Sequence, residues 1–509
     1  MKKILSAILA FSMIFAPFTN LLANEIVHAT SMPRTISVAT STANRLMQEH
    51  NVPGVAISII DAHTGFTWTR GFGYADTIAG IPVDPHTRFQ IASTSKPFTA
   101  IAVMQLVEQG LVGLDNPVVT YIPEFSMWPS TRFGGNSDDI TVRMLLNNTS
   151  GIVPDKFWGF LTYGRHYHQP VDNLIPWLAT QEMIFVPGTR FNYANNNWTL
   201  LGILVARVMG YNNYVYGFAE HVENYIFEPI GMYRSTFLFD NHLQIAMPYG
   251  LNGTQDPMHV TNKIAAASMI STAYDISRFM HNILGSDPIL PTDTITYMLQ
   301  KHTDHVAMSS RQITGYGLGF IHTQTTDGFQ VVGHGGNLIH YHTEMVFNPE
   351  SGLGVFVATN SRNGFNLASH LAIYTLGTAV LEKTGQLTLD FIEPESNQLG
   401  LLYTAGILIN TVAASANLQP WVGTYIFVPE LPITVPMVTY ATIYISDLGM
   451  PTISASNHML ETTGSPPSEV PLIYVNGRWF FYLTPLYFYM NPDNQATIYF
   501  WGGRFVRQR

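Results

Sequence analysis

Ser93-Thr94-Ser95-Lys96 places a hydroxyl and an amine three residues apart, where an extended segment, Phe89-Gln90-Ile91, meets an apolar-periodic stretch. If that stretch is a helix, Ser93 and Lys96 lie one turn apart on the same face. A lysine amine beside a serine hydroxyl can take its proton once desolvation lowers the amine pKa. The start of a helix also favours the negative charge that develops during acyl transfer. The pairing is therefore the first element of a serine acyl-transfer site. Alone it has a plainer reading, a serine N-cap followed by a solvated lysine.

Two further elements change the balance. Tyr193-Ala194-Asn195 follows a turn at Pro187-Gly188-Thr189 and an extended approach from Phe191, and precedes a helical pattern from Trp198 to Val208. Tyr211-Asn212-Asn213 and Tyr474-Val475-Asn476 fit the same short pattern, so context selects 193. Tyr and Asn two apart on extended backbone point the same way. A phenol near Lys96, held partly ionised, can serve as general base. The third element, His334-Gly335-Gly336, follows the strand-like run 329–332. Adjacent glycines let a substrate lie against the backbone. The N–H of Asn337 can then join that of Ser93 as an oxyanion hole.

Together these elements resemble the penicillin-recognising serine hydrolases: class C β-lactamases, D,D-peptidases, D-aminopeptidases and esterases. The resemblance extends to the approach Phe89–Ser93, to Ile140–Leu146 with Thr149-Ser150-Gly151, and to Pro187–Tyr193. It continues through Glu228–Met232, Ser271–Asp275 and the closing strand from Leu353 to Asn360, so that it covers roughly residues 40–365. It implies that Ser93 is acylated and that Lys96 and Tyr193 exchange the proton, in an order left open. It implies that Asn195 orients the substrate and Lys96, and that His334, Gly335, Gly336 and Asn337 line the substrate edge. No metal and no other cofactor is implied.

Two positions depart from the family pattern. Asn148 stands where relatives often carry histidine, in a segment read as architectural. His334-Gly335 replaces Lys-Thr. An imidazole is mostly neutral at pH 7, and glycine offers no hydroxyl, so strong recognition of a free carboxylate is not expected. The expectation is therefore a D-aminopeptidase-like peptidase or an esterase acting on a small ester, amide or peptide. The alternative is a β-lactamase or D,D-carboxypeptidase. An alternative of another class is a non-catalytic binding or sensor protein on the same fold.

The elements that must hold these residues suggest an α+β domain, an antiparallel sheet flanked by helices. A hairpin is expected over 52–75, turning at His63-Thr64-Gly65, and a helix from Ser95 to Gly110 that tolerates Pro97 in its first turn. Strands are expected at 316–322, 329–333, 341–347 and 353–359, then a helix from Leu367 to Lys383. Residues 386–418 read as a linker with an apolar stretch too short for a confident membrane span, and 419–509 as an all-β barrel, lipocalin-like in composition. Residues 1–29 read as a signal peptide, with Leu21-Leu22-Ala23 and Val27-His28-Ala29 as candidate cleavage points. The catalytic domain then runs from 30 to 385, in a secreted or periplasmic protein without a lipid-anchoring cysteine.

Net charge is −10, only 11% of residues are charged and cysteine is absent. Basic clusters are missing, so neither nucleic acid nor an anionic membrane surface is an expected partner, and oligomeric state is left open. His340, His342 and Glu344 alternate on a strand pattern and could converge on zinc, but no His-Glu-x-x-His accompanies them. A Gly-x-Ser-x-Gly elbow is missing, which counts against an α/β-hydrolase. Gly315-Tyr316-Gly317-Leu318-Gly319 sits on a strand pattern and makes an improbable phosphate loop.

Overall fold

The structure is a computed structural model. It describes residues 32–154, 174–240, 242–261, 263–304, 313–324 and 330–385, and the backbone of Glu25–His28, Thr162–Tyr163 and the strands between 423 and 507. The chain divides into two compact units, one lying within Met1–Leu389 and one built mainly from Asp390–Arg509.

The larger unit is α+β. Its sheet strands are β1 (Glu25–His28), β2 (Gly54–Asp61), β3 (Phe66–Asp76), β4 (Thr303–Asp304), β5 (Ile313–Tyr316), β6 (Ile321–Gln324), β7 (Gln330–Asn337), β8 (His342–Asn348) and β9 (Leu353–Thr359). They lie in the order β1-β3-β2-β9-β8-β7-β6-β5-β4. Pairing is antiparallel from β1 through to β7. The two ends of the domain sequence meet at β2 and β9, where Val55 faces Thr359 and Asp61 faces Leu353. Apart from Ile81–Pro82, which pairs with β3, the long stretch between β3 and β4 folds outside this sheet and carries most of the site.

Five helices matter here: α1 (Pro33–His50), α2 (Lys96–Glu108), α3 (Asn195–Val208), α4 (Ala273–Leu284) and α5 (Gly364–Lys383). Side chains alternate across a strand, so β9 presents opposite parities to opposite faces. A Cβ at Gly354 would touch Met280 of α4, whereas Thr359 packs against Gly364 at the start of α5. Helices therefore cover both faces, and every residue of β2, β8 and β9 is buried. Each Val or Ile enclosed in this way contributes about 1.5–3 kcal/mol. The β2–β3 hairpin turns through Gly65 at φ 75°, a left-handed conformation natural to glycine.

Several boundaries differ from the sequence reading: β7, expected at 329–333, runs on to Asn337 and carries His334-Gly335-Gly336, and α5 starts at Gly364, not Leu367. The strand expected at 316–322 is two strands, β5 and β6, parted by a turn in which Gly317 N–H donates to the Phe320 carbonyl at 2.7 Å. That turn packs on α2 and α3, since a Cβ at Gly319 would press on Ala100 and Trp198. Helix α3 starts at Asn195, earlier than its apolar pattern, because three asparagines are buried by hydrogen bonding. Glu25–His28, within the stretch read as signal peptide, pair with β3.

The smaller unit contains strands in the order 468–471, 451–456, 440–445, 423–429, 503–507, 496–500, 484–490, 478–481 and 473–475. Neighbouring strands along it pair antiparallel, an up-and-down succession. Among the described residues the two end strands are not paired with each other, so closure into a barrel is not part of the described structure. The 386–418 linker lies outside the described residues.

Candidate active site

The serine turn is built by its neighbours. Arg88–Gln90 pairs with Ile270–Thr272, and Ile91 N–H donates to the Met269 carbonyl at 2.9 Å. Ala92 then adopts φ 51°, a left-handed conformation costing an alanine about 1–2 kcal/mol. The surroundings enforce it. Ser95 Oγ donates to the Ala92 carbonyl at 2.5 Å and accepts from Met269 N–H at 3.2 Å. Thr94 Oγ1 lies 2.9 Å from Thr343 Oγ1, and Thr343 donates to the Ile91 carbonyl at 2.9 Å. Ala92–Ser95 form a 3-10 turn that runs into α2 at Lys96. The turn leaves Ser93 as the one residue between 91 and 100 that is not buried.

Lys96 is completely buried. Its Nζ lies 2.9 Å from Ser93 Oγ, 2.7 Å from Asn195 Oδ1 and 2.8 Å from the Ala266 carbonyl. Burial, then the nearby Lys263 charge, holds the amine well below its usual range. A neutral amine has two N–H donors and one lone pair. Asn195 Oδ1 and the Ala266 carbonyl can only accept, so they take the donors, and the lone pair is left for the Ser93 hydroxyl. This is the geometry of a base poised on a nucleophile.

Tyr193 is hydrogen bonded to Ser93, and its ring lies 4.9 Å from Lys96 Nζ. Burial pushes the phenol well above its usual range, and the Ser93 bond only partly opposes this. The sequence reading expects a partly ionised Tyr193, and burial of the phenol opposes that ionisation. Asn148 holds the segment in place. At φ 59° and fully buried, it accepts from Asn192 N–H on its carbonyl at 2.8 Å. Its Oδ1 accepts from Ala194 N–H at 3.2 Å and Asn197 Nδ2 at 3.0 Å. Asn195 is thus the first residue of α3, not part of the extended run, and still reaches Lys96.

Strand β7 supplies the opposite wall. A Cβ at Gly336 would strike the Ile91 carbonyl and Thr343 Oγ1, so only glycine lets β7 lie against the serine turn. Leu338 N–H donates to the Tyr341 carbonyl at 2.9 Å, which makes Asn337–His342 a non-hydrogen-bonded pair. The Asn337 N–H therefore points away from β8 and is free of the ladder. Gly335 and Asn337 are accessible, while His334 is buried.

His334 has partners within the protein. Nδ1 lies 2.7 Å from the Gly335 carbonyl, an acceptor, so this nitrogen carries the proton in the neutral ring. Nε2 then accepts from the Tyr316 hydroxyl at 3.2 Å. Tyr316, fully buried, also packs near Tyr193 and Phe191, with ring centroids 6.4 and 5.5 Å away.

Asn148, Tyr316, Ala266 and Lys263 were not picked out by sequence reasoning as site residues. Tyr316 lay in view inside the glycine string. Ala266 acts through its carbonyl, so its side chain gives no signal. The zinc alternative does not assemble: His340 pairs with Asp256 at 2.8 Å, His342 with Asn337 at 2.8 Å, and Glu344 accepts from Ser369 at 3.2 Å. Among the described residues no group of three metal-ligating side chains converges.

A large antiparallel sheet clasped by helices, with a serine turn packed against β7 and β8, defines the β-lactamase and penicillin-binding-protein class of serine hydrolases. The model of the Beta-lactamase family matches residues 39–377, and the chain belongs to that family. It is 24% identical over 337 residues to Protein flp of Staphylococcus aureus (strain MW2), which is 64% of this chain and 63% of that protein. The chain thus spans less than two thirds of that relative's length. The octameric penicillin-binding protein homologue from Pyrococcus abyssi superposes with a TM-score of 0.58 at 24% identity, over 93% of this chain and all of that one. A Beta-Lactamase/D-Alanine Carboxypeptidase from Pseudomonas syringae gives 0.54 at 20% identity, over 66% and 98%. These likenesses establish the fold.

Proposed function

We propose that this chain is an exported hydrolase working through an acyl-enzyme on Ser93, with a D-aminopeptidase-like or esterase preference. The observation that carries the mechanism is the Lys96 amine, buried, with two acceptors on its donors and Ser93 Oγ at 2.9 Å. Lys96 takes the hydroxyl proton as Oγ bonds to the substrate carbonyl carbon. The oxygen that becomes negative is received by the N–H groups of Ser93 and Asn337. The tetrahedral adduct collapses, the leaving amine or alkoxide takes the proton from Lys96 through the Tyr193 hydroxyl, and an ester on Ser93 remains. Water, or an acceptor amine, completes the cycle by the reverse path.

The substrate preference rests on His334. With both nitrogens engaged by Tyr316 and Gly335, the ring has no donor to offer a substrate carboxylate. Substrates without that group follow: neutral esters, and amides or peptides whose recognised end is elsewhere. A β-lactamase or D,D-carboxypeptidase is the second reading, favoured by the likeness to a D-alanine carboxypeptidase structure. A panel of nitrocefin, a p-nitrophenyl ester and a D-amino-acid p-nitroanilide separates the two. Fast ester or anilide turnover with slow nitrocefin hydrolysis supports the first; fast nitrocefin hydrolysis overturns it, and a stable adduct without turnover indicates a sensor.

A leader cleaved after Leu21-Leu22-Ala23 leaves Glu25–His28 to pair with β3, whereas cleavage after Ala29 removes that strand. No helix among the described residues is long and apolar enough to cross a membrane. The up-and-down strand order of the smaller unit suits a lipocalin-like barrel, because the two ends of that order, Ser468–Pro471 and Ile473–Val475, are one residue apart in sequence.

A further inference from the structure

Asn337, whose N–H is read above as an oxyanion donor, is the exposed last residue of β7. Two glycines precede it and the turn between Leu338 and Tyr341 follows it, so its backbone has little local restraint of its own. Opposed residues of two paired strands share a face, and successive pairs alternate between faces. The Gly336–Thr343 pair faces the serine turn: a Cβ at Gly336 would meet the Ile91 carbonyl, and Thr343 Oγ1 donates to that carbonyl at 2.9 Å. The next pair, Asn337 and His342, therefore faces the other side, toward α5. There His342 Nδ1 lies 2.8 Å from Asn337 Oδ1. The amide oxygen can only accept, so Nδ1 carries the proton and donates.

The imidazole is itself fixed by two further elements. His342 is buried, and its ring packs edge to face on Phe365 of α5 with centroids 5.9 Å apart. Its backbone is pinned by β9, where Thr359 Oγ1 donates to the His342 carbonyl at 3.2 Å. Thr359 in turn abuts the head of α5, where a Cβ at Gly364 would overlap its side chain. Burial pushes the imidazole down to about 4, so the ring is neutral at pH 7 and keeps one proton to donate. The rest of the hairpin tip is tied elsewhere: Tyr341 donates to the Ala246 carbonyl at 2.6 Å, and His340 pairs with Asp256 at 2.8 Å. Of these three ties, that of His342 is the one that reaches the residue carrying the N–H.

We propose that His342 is a positioning residue for the oxyanion hole: by donating to the Asn337 side chain on the α5 face of the sheet, it fixes the end of β7 so that the Asn337 N–H stays aimed at the substrate oxygen as that oxygen becomes negative. The N–H lies in the plane of the sheet and points away from β8, whereas side chains stand out of that plane. A bond to the Asn337 side chain therefore restrains rotation of its peptide without competing for the N–H. Donors already aimed at the developing charge need no reorientation during the reaction, which is what makes them effective. The serine turn, which carries the other donor, the Ser93 N–H, is held from the opposite face by Thr343. The two donors are thus set by successive residue pairs of one ladder, one pair on each face.

The proposal rests on the reading of Ser93 as the acylated nucleophile and of the Asn337 N–H as an oxyanion donor. The test is fluorophosphonate labelling of Ser93 on the full chain, with the limiting rate kinact separated from the half-saturating concentration KI. Outright loss of an oxyanion donor costs about 10²–10³-fold, so loosening one should cost about tenfold. His342→Phe keeps a ring against Phe365 but has no donor, and should lower kinact about tenfold with KI little changed. Asn337→Ala, which removes the acceptor and keeps the N–H, should do the same. The double variant should be no slower than either single one, because both act through one bond. His342→Asn, whose amide N–H can stand where Nδ1 stands, should recover most of the rate. A merely structural role would give a double variant near the product of the two single effects, and no recovery in His342→Asn. Either of those results, or an unchanged kinact in folded His342→Phe, overturns the proposal. If His342→Phe does not fold, an unchanged kinact in Asn337→Ala overturns it. Absence of any labelling at Ser93 in the wild type instead overturns the acyl-enzyme reading on which the proposal stands.

Discussion

Asn148→Ala tests how the second motif is held. The Asn148 side chain satisfies two buried donors, Ala194 N–H and Asn197 Nδ2, at 3.2 and 3.0 Å. Each donor left unsatisfied costs about 1–3 kcal/mol. Alanine must also adopt φ 59°, which asparagine tolerates better, for about 1 kcal/mol more. The expected loss of stability is therefore about 3–7 kcal/mol. Asn148→Gly loses the same two bonds but not the backbone cost, so it should be about 1 kcal/mol more stable than Asn148→Ala. Both should slow acylation about 10²-fold, since Tyr193 and Asn195 flank the freed amide and a displacement near 1 Å costs that much. Urea unfolding gives the stability and fluorophosphonate labelling of Ser93 the rate. An Asn148→Ala protein within about 0.5 kcal/mol of wild type, as for an ordinary surface substitution, with an unchanged labelling rate, would refute the clamp.

Other outcomes follow from the same geometry. Tyr193→Phe should slow acylation by roughly 10²–10⁴-fold and Lys96→Met by at least as much; a near-normal Tyr193→Phe beside a dead Lys96→Met would mean that lysine works without a relay. His334→Lys should raise the preference for nitrocefin over a p-nitrophenyl ester by about 10–150-fold, the worth of a charge-assisted hydrogen bond. Equal kcat/KM ratios in the two proteins would show that this position does not set substrate class. Stability should rise with pH from about 7 toward the unfolded lysine value of 10.5, because Lys263 is depressed to about 7 in the fold and Lys96 is depressed too. In that window the unfolded chain binds more protons, so each such lysine adds up to about 1.4 kcal/mol per pH unit. Chemical denaturation at several pH values reads the slope, and a fall with rising pH between 7 and 9.5 would contradict it.

What the sequence made legible was local or periodic. Ser93 and Lys96 are one turn apart, so their spacing alone places them together. The β2–β3 hairpin and β9 followed from apolar runs and a glycine turn. Gly336 could be read as a close approach, though not that the neighbour is the Ile91 carbonyl. Contacts made across long separations by ordinary residue types were not legible. Lys96 meets Ala266 from 170 residues away through a backbone carbonyl. Asn148 and Tyr316 are common residues whose roles come from what folds against them. The start of α3 was missed because Asn195, Asn196 and Asn197 look like a loop by composition and are held by distant partners, Lys96, Val153, Ser150 and Asn148. Tyr193 differed for an energetic reason: closeness to a lysine suggested a charge, and burial removed it.

The central claim is that Ser93, deprotonated by Lys96, forms a covalent acyl-enzyme. Intact-mass measurement and peptide mapping after incubation with a fluorophosphonate, on wild type and Ser93→Ala, test it directly. One adduct per chain on the peptide carrying Ser93 is predicted for the wild type, and none for Ser93→Ala, whose fold should survive the loss of one half-exposed hydroxyl. An adduct that persists on Ser93→Ala, or that maps to another residue in the wild type, would contradict it.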